Sequence, residues 1–262
     1  MQIKHKFTFI VLLLSLAFAS VCKSAETVVI GGYEFAPFVQ RTPNGNYDGV
    51  TFDLIAALNK VQKKINFIFV TTLADTRYRA FEANRFDLIF FEDKKWGWQD
   101  LDVVTSKVFL KGGDTYIALK KEGRDQSFFA DLSSKILIGI KGYHYGLANF
   151  NTDPKFLEEQ YNLISGNSSI SVIKMLEYGR GDIAIVSLSF ILPYLKQHQS
   201  LSKKILISEK LDHQYEHTIL IRKNHQVSPE MLNYWLSLLE EQGVLKEIWK
   251  KRGLDELHRW LK

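Results

Sequence analysis

The sequence predicts an α/β fold of two lobes, with a cleft between them and two crossings from one lobe to the other. Residues 27–91 alternate strand-like and helix-like runs, and residues 135–207 repeat that alternation at similar spacing. Such an order implies parallel sheets with right-handed connections. Between the blocks stands Gly112-Gly113-Asp114-Thr115-Tyr116-Ile117-Ala118-Leu119-Lys120-Lys121, a strand-like run after a Gly-Gly break. A similar run returns at His217-Thr218-Ile219-Leu220-Ile221-Arg222-Lys223. Read as paired crossings, they place residues 25–113 and 217–262 in the first lobe and residues 114–216 in the second, with function in the cleft. A hydrophobic share of 46% supplies packed cores for both, and a charged share of 24% gives no reason to expect disorder.

The elements follow in order. Residues 27–31 are β-branched and end at Gly31-Gly32, a first strand; residues 33–38 form an aromatic loop, and Asn44-Gly45 marks a turn. Phe52, Ile55, Ala56, Leu58 and Val61 recur near helical spacing over residues 51–61. Residues 65–70 read as a buried strand, Asp75 as the cap of a helix over residues 76–84, and residues 87–91 as a third strand. In the second block, strands are expected at residues 135–140, 182–186 and 204–207. Helices are expected to open at residues 143–150, behind Ser168-Ser169 over residues 170–178, and at residues 190–197. Near the end Ser228 caps, Pro229 takes the first helical position, and Met231, Leu232, Trp235, Leu238 and Leu239 share one face. Gly243 separates this helix from another over residues 244–252, which Gly253 stops.

The first 24 residues carry an address. Lys4 and Lys6 precede an uncharged apolar run over residues 7–19, and small residues follow at Ser20, Cys22 and Ser24. That order predicts a secretory signal peptide over residues 1–24 and a periplasmic protein. A lipid anchor on Cys22 is not expected, because Val21 before it suits that signal poorly. Losing Lys4, Lys6 and Lys23 lowers the formal charge from +5 to 5 − 3 = +2. So modest a balance argues against a nucleic-acid partner. Cys22 is the only cysteine, which leaves no disulfide scaffold and no thiol nucleophile in the remainder.

Several short motifs run in one familiar order: Ile30-Gly31, Phe35-Ala36-Pro37-Phe38, Tyr47-Asp48-Gly49-Val50-Thr51-Phe52-Asp53-Leu54, Asn84-Arg85-Phe86-Asp87 and Thr105-Ser106. Ile138-Gly139-Ile140-Lys141-Gly142, Gly179-Arg180-Gly181-Asp182-Ile183-Ala184, Leu220-Ile221-Arg222-Lys223 and Gly243-Val244-Leu245-Lys246-Glu247-Ile248 complete the set. In this order the chain resembles the periplasmic solute-binding proteins of polar amino-acid ABC importers. The resemblance implies a hinged periplasmic-binding-protein-like fold, a small polar ligand, an inner-membrane permease or sensor receptor as partner, and a monomer. It also exposes departures. Gln99 stands where the family places an arginine for the ligand's carboxylate, and Trp96 where it places a threonine. Ser187 stands in place of the ammonium-binding carboxylate, and Tyr143 in place of a small hydroxyl residue. Both usual charged anchors are therefore absent from their usual positions.

Other residues are candidates in their stead. Lys94-Lys95-Trp96-Gly97-Trp98-Gln99 follows a strand's carboxyl end, where open α/β sheets place ligands. Lys95, Trp96, Trp98 and Gln99 suit a flat, sugar-like or anionic guest. Tyr143 and His144 begin the segment after Gly142, Phe35 matches the family's stacking aromatic, and Arg77 and Arg79 open a helix at another strand end, where one of them, Arg77 first, is able to grip a carboxylate or phosphate. Neither a metal pattern nor a cofactor fingerprint is present: His213 and His217 lack the glutamate of a zinc motif. The sequence favours a non-enzymatic binder of a small polar solute, amino-acid-like or another organic acid or metabolite, for import or sensing. Two alternatives stand beside it: a stand-alone sensory or adaptor protein, and a hydrolase or dehydratase using Glu92, Asp93 or His144.

Overall fold

The computed structural model describes residues 25–261; the expected signal segment, Cys22 included, lies outside them. Its strands are β1 (Glu26–Gly32), β2 (Gln40–Arg41), β3 (Tyr47–Asp48), β4 (Ile65–Thr71), β5 (Leu88–Glu92), β6 (Val103–Thr105), β7 (Leu110–Leu119), β8 (Leu137–Ile140), β9 (Leu163–Gly166), β10 (Ile183–Ser187) and β11 (Ile205–Arg222). They run in the order β4-β1-β5-β11-β7-β10-β8-β9, with β6 also on β11. At one end β1 lies parallel to β4 and β5. At the other β8 lies parallel to β9 and β10. In the middle β7 and β11 are antiparallel to each other. They contain the two runs that the sequence reads as crossings.

Each end has its own packing. Ile30, Leu54, Leu88, Ile219, Trp235 and Leu236 belong to one apolar group. On this side the helix Val50–Val61 packs against the helices Pro229–Glu241 and Val244–Lys251. At the far end Ile117, Ile138, Val172, Val186 and Ile191 form a second group, and Tyr116, Leu137, Tyr145 and Ile185 a third. Strand β5, parallel to β1 on one edge and antiparallel to β11 on the other, is buried along its whole length. Its last residue is a glutamate, which sets a problem that the site resolves. The helix Pro229–Glu241 starts as its sequence requires: the Ser228 side chain accepts from the Met231 amide at 3.3 Å, a cap contributing about 1 kcal/mol.

Four expectations need correction. The strand expected at residues 204–207 and the crossing at 217–223 are one 18-residue strand, β11, bent by irregular register between Ile207 and His213. The helix expected to open at residues 143–150 is a single 3-10 turn, Gly146–Ala148. Asp212 takes the Leu147 amide at 2.9 Å and the Gly146 amide as well, and Asn149 then turns left-handed. Asp75 does not cap the next helix; its carboxylate meets Lys141 at 2.9 Å, and the helix Arg77–Glu82 begins after Thr76 without a side-chain cap. Finally, Asp153 caps a helix Pro154–Tyr161 that leads into β9, two elements the periodicity did not reveal.

Candidate functional site

Parallel strands aim their carboxyl ends at one region. The loop after β1 supplies Tyr33 and Phe35, and the segment after β4 supplies Arg77. The turn after β5 supplies Trp96, and the loop after β8 supplies Gly142, Tyr143 and His144. Asp114 and Tyr215 come from the crossings themselves. These nine residues enclose a narrow cavity of about 10 Å³, the space of about one water molecule. A larger depression of about 620 Å³ lies elsewhere, lined by Phe109, Leu245, Trp249 and Leu261 among others. It is away from the parallel strand ends and gathers no buried polar groups, so it is the weaker candidate.

Arg77 is the knot of the site. Only 1% exposed, it carries a guanidinium whose Nε lies 3.3 Å from Glu92 Oε1, and Glu92 is wholly buried. Its other nitrogens donate to the carbonyls of Ala74, Gly142 and Trp96 and to His144 Nδ1, the last three at 3.4 Å. Its face lies 4.9 Å from the Tyr33 ring and 4.4 Å from the Tyr78 ring, a cation–π arrangement. Glu92 also accepts from Trp98 Nε1 at 2.7 Å. Burial pushes the Glu92 carboxyl up, against the pull of Arg77 and Trp98. The buried glutamate at the end of β5 is thus the counter-ion of a buried arginine.

His144 is neutral. Burial, and then the charge of Arg77, lower its pKa to about 3. Because Nδ1 accepts from Arg77, Nε2 carries the proton and faces the Tyr78 hydroxyl at 3.3 Å, while that hydroxyl donates to the Trp96 carbonyl. Arg77 and Tyr78 therefore tie the first-lobe side of the cavity to the β8 side. Tyr143 adds a bond from its hydroxyl to the Glu34 carbonyl at 3.0 Å. Gly142 permits the approach: at φ +78° it sits so near Asp75 that an added Cβ would lie 2.7 Å from the Asp75 amide nitrogen.

Asp114 is the third buried charge, 6% exposed. Its side chain has no ion-pair partner among the described residues, and receives a long hydrogen bond, 3.4 Å, from the Tyr215 hydroxyl. Burial raises its pKa to about 6 from an ordinary 3.8. The folded state then holds the proton more tightly than the unfolded chain does. This favours the fold below pH 3.8, and the gain is lost as pH rises through about 6. The gap corresponds to about 3 kcal/mol. Asp114→Asn is accordingly expected to gain up to about that much over the parent at pH 7.5 and little at pH 4. Urea unfolding of both proteins at both pH values checks it, and an unchanged difference between them would contradict a strained carboxylate.

Of the nine sequence candidates, the cavity gathers Phe35, Arg77, Trp96, Tyr143 and His144. Four lie outside it. Trp98 is fully buried among Phe81, Tyr78 and Glu92, a core residue rather than a wall. Lys95 faces a separate open depression with Asp93, Lys94 and Lys111. Gln99 is exposed, and its amide donates to the Lys95 carbonyl at 3.0 Å. Ser187 pairs in register with Asp114 but is turned to Ser189. Sequence reasoning missed Tyr33, Asp114, Gly142 and Tyr215 as lining residues. A signal existed for Asp114, an acid inside an otherwise apolar crossing; Tyr215 lay in a polar stretch that did not read as strand.

No family pattern and no curated protein matches the chain. Solved structures do. A histidine-bound substrate-binding protein of an ABC uptake transporter from Streptococcus pneumoniae superposes with a TM-score of 0.70 at 19% identity, covering 86% of this chain and 91% of that one. The fold is that of a substrate-binding protein. A lysine-complexed binding component of an ABC transporter from Wolinella succinogenes gives 0.69 at 16%, covering 87% and 95%. An ancestral amino-acid-binding protein described as a precursor of cyclohexadienyl dehydratase gives 0.64 at 18%, covering 86% and 89%. At these identities the likeness establishes the two-lobed architecture alone.

Proposed function

We propose that the chain is a periplasmic binding protein that closes its two lobes on a small polar solute and presents the closed form to an inner-membrane importer or sensor. Residues 25–113 and 217–262 would make one lobe and 114–216 the other, a division favoured by the separate apolar groups at the two ends of the sheet. The observation that carries the reading is the convergence of four strand ends and both crossings on one cavity holding Arg77 and Asp114. The structural neighbours that bind histidine and lysine supply a precedent for such a use of the fold. A guest of several heavy atoms exceeds the present cavity, so binding requires the walls to part at the crossings.

A hydrolase or dehydratase on the same scaffold is less well supported. Glu92 is committed to Arg77 and Trp98. The Asp93 carboxylate accepts from the amides of Lys95 and Glu216, holding a loop. His144 is held neutral between Arg77 and Tyr78. None of the three has a free proton-transfer geometry.

The test is thermal denaturation of the chain lacking residues 1–24 against amino acids, amines, organic acids and sugars. A true ligand at 100 times its Kd should add about 2.7 kcal/mol of stability. A complete panel without a shift would sink the proposal.

A further inference from the structure

Three buried acids and two cations meet around the cavity. Glu92 is taken by Arg77 at 3.3 Å, and Asp212 by His213 at 2.9 Å. Asp114 remains. It is more than nine-tenths buried, it lines the cavity, and no cation among the described residues lies within ion-pair distance of it. The charge of His213, opposite it in register, pulls on this carboxylate only from beyond that distance, and burying an unpaired carboxylate is costly unless a positive charge arrives from outside.

The walls beside Asp114 are aromatic. Tyr215 donates to its carboxylate, and the Trp96 ring lies 4.8 Å from the Tyr215 ring. Phe35 lies 6.1 Å from Trp96 and 5.6 Å from Tyr143, closing a continuous set of faces and edges. Rings around a carboxylate are the chemistry that holds an organic cation, the rings through their quadrupoles and the acid through its charge. An anion has less to hold it. The two Nη atoms of Arg77 are taken by the carbonyls of Ala74, Gly142 and Trp96 and by His144, and Nε is buried 3.3 Å from Glu92 Oε1 without a hydrogen bond, so a ligand carboxylate would have to break the knot to reach the guanidinium.

We propose that the guest of this cleft is an organic ammonium ion, held by Asp114 within the rings of Phe35, Trp96, Tyr143 and Tyr215, and that a carboxylate on the guest is not required. This rests on the solute-binding reading and narrows it. It also gives Arg77 a different task from the one its charge suggests: it braces the wall and holds the two sides together, and it does not grip the ligand.

Isothermal titration of the chain lacking residues 1–24 decides the matter. The probes are tetramethylammonium chloride, ethylammonium chloride, sodium acetate, and zwitterionic histidine and leucine. Saturable binding of one or both ammonium salts is expected, with none by acetate; which salt binds more tightly separates a methylated from a primary amine. Asp114→Asn should weaken that binding by on the order of tenfold or more, and its intact fold is checked by its own thermal transition. Zwitterions that bind while neither ammonium salt does, or an Asp114→Asn protein that binds the ammonium salt as its parent does, would overturn the inference and leave solute binding standing. Silence from every probe in this set overturns the inference, and silence across the wider panel overturns the solute-binding reading with it.

Discussion

Arg77→Ala is expected to lower the unfolding free energy by about 3–5 kcal/mol, a large part of what a domain of this kind possesses. The loss comes less from the attraction that disappears than from what is left behind. Glu92 is wholly buried and keeps its Trp98 donor, but it has no other cation within ion-pair distance among the described residues. Its carboxylate must then stay charged in an apolar wall or take up a proton. The carbonyls of Ala74, Gly142 and Trp96 lose a donor in the same step. The double variant Arg77→Met, Glu92→Gln should recover most of the loss, because neither charge remains and Gln can still accept from Trp98. Urea unfolding of the parent, the single variant and the double variant measures this. A single variant within 1 kcal/mol of the parent would mean that the pair is not the brace described.

Trp98→Ala is expected to cost about 3–5 kcal/mol in stability. The sequence placed this indole beside the ligand, and its replacement would then have changed affinity in a folded protein. The structure places it under the site. Its ring meets Phe81 and Tyr78 edge-on at 5.5 and 4.9 Å, and its N–H satisfies Glu92. Removing it leaves a cavity and an under-bonded carboxylate. Trp98→Phe isolates the second effect, since it keeps most of the volume and drops the donor, and a cost of about 1–3 kcal/mol is expected. Trp96, two residues earlier, borders the cavity through Tyr215 and Phe35, so Trp96→Phe should keep the fold and alter ligand affinity. Equal effects of the two Phe variants on stability, with neither changing affinity, would refute this division of roles.

Much of residues 25–113 and 217–262 was readable where apolar periodicity and caps agreed, as at Ser228-Pro229 but not at Asp75. The second lobe was less so. The turn at Gly146–Ala148 is set by Asp212, 66 residues along from Gly146, and no local pattern reports such a partner. Strand β11 was split in reading because Glu209, Lys210, Asp212, His213 and Gln214 look like loop; they are tolerated because this middle part is only half covered. Of the residues that line the cavity, Phe35 was picked out by its match to the family's stacking aromatic and Arg77 by its place at a strand end. Asp114 was passed over although it lay within the run taken as the chain's organising element. A register between two crossings, Asp114 opposite His213 and Gly113 opposite Gln214, is long-range information that one strand alone does not contain.

The two crossings do not run apart as separate tethers. Strands β7 and β11 are hydrogen-bonded to one another from Leu110 opposite His217 to Leu119 opposite Ile205, broken by the irregularities between Ile207 and His213. They form a two-ply spring with its weak place beside Asp114. On the proposed reading, a guest anchored there would rest at the fulcrum as the halves swing, where displacement is least, and the rings above it would do the travelling. Recognition of charge and the sweep of closure would then fall to different parts of the molecule.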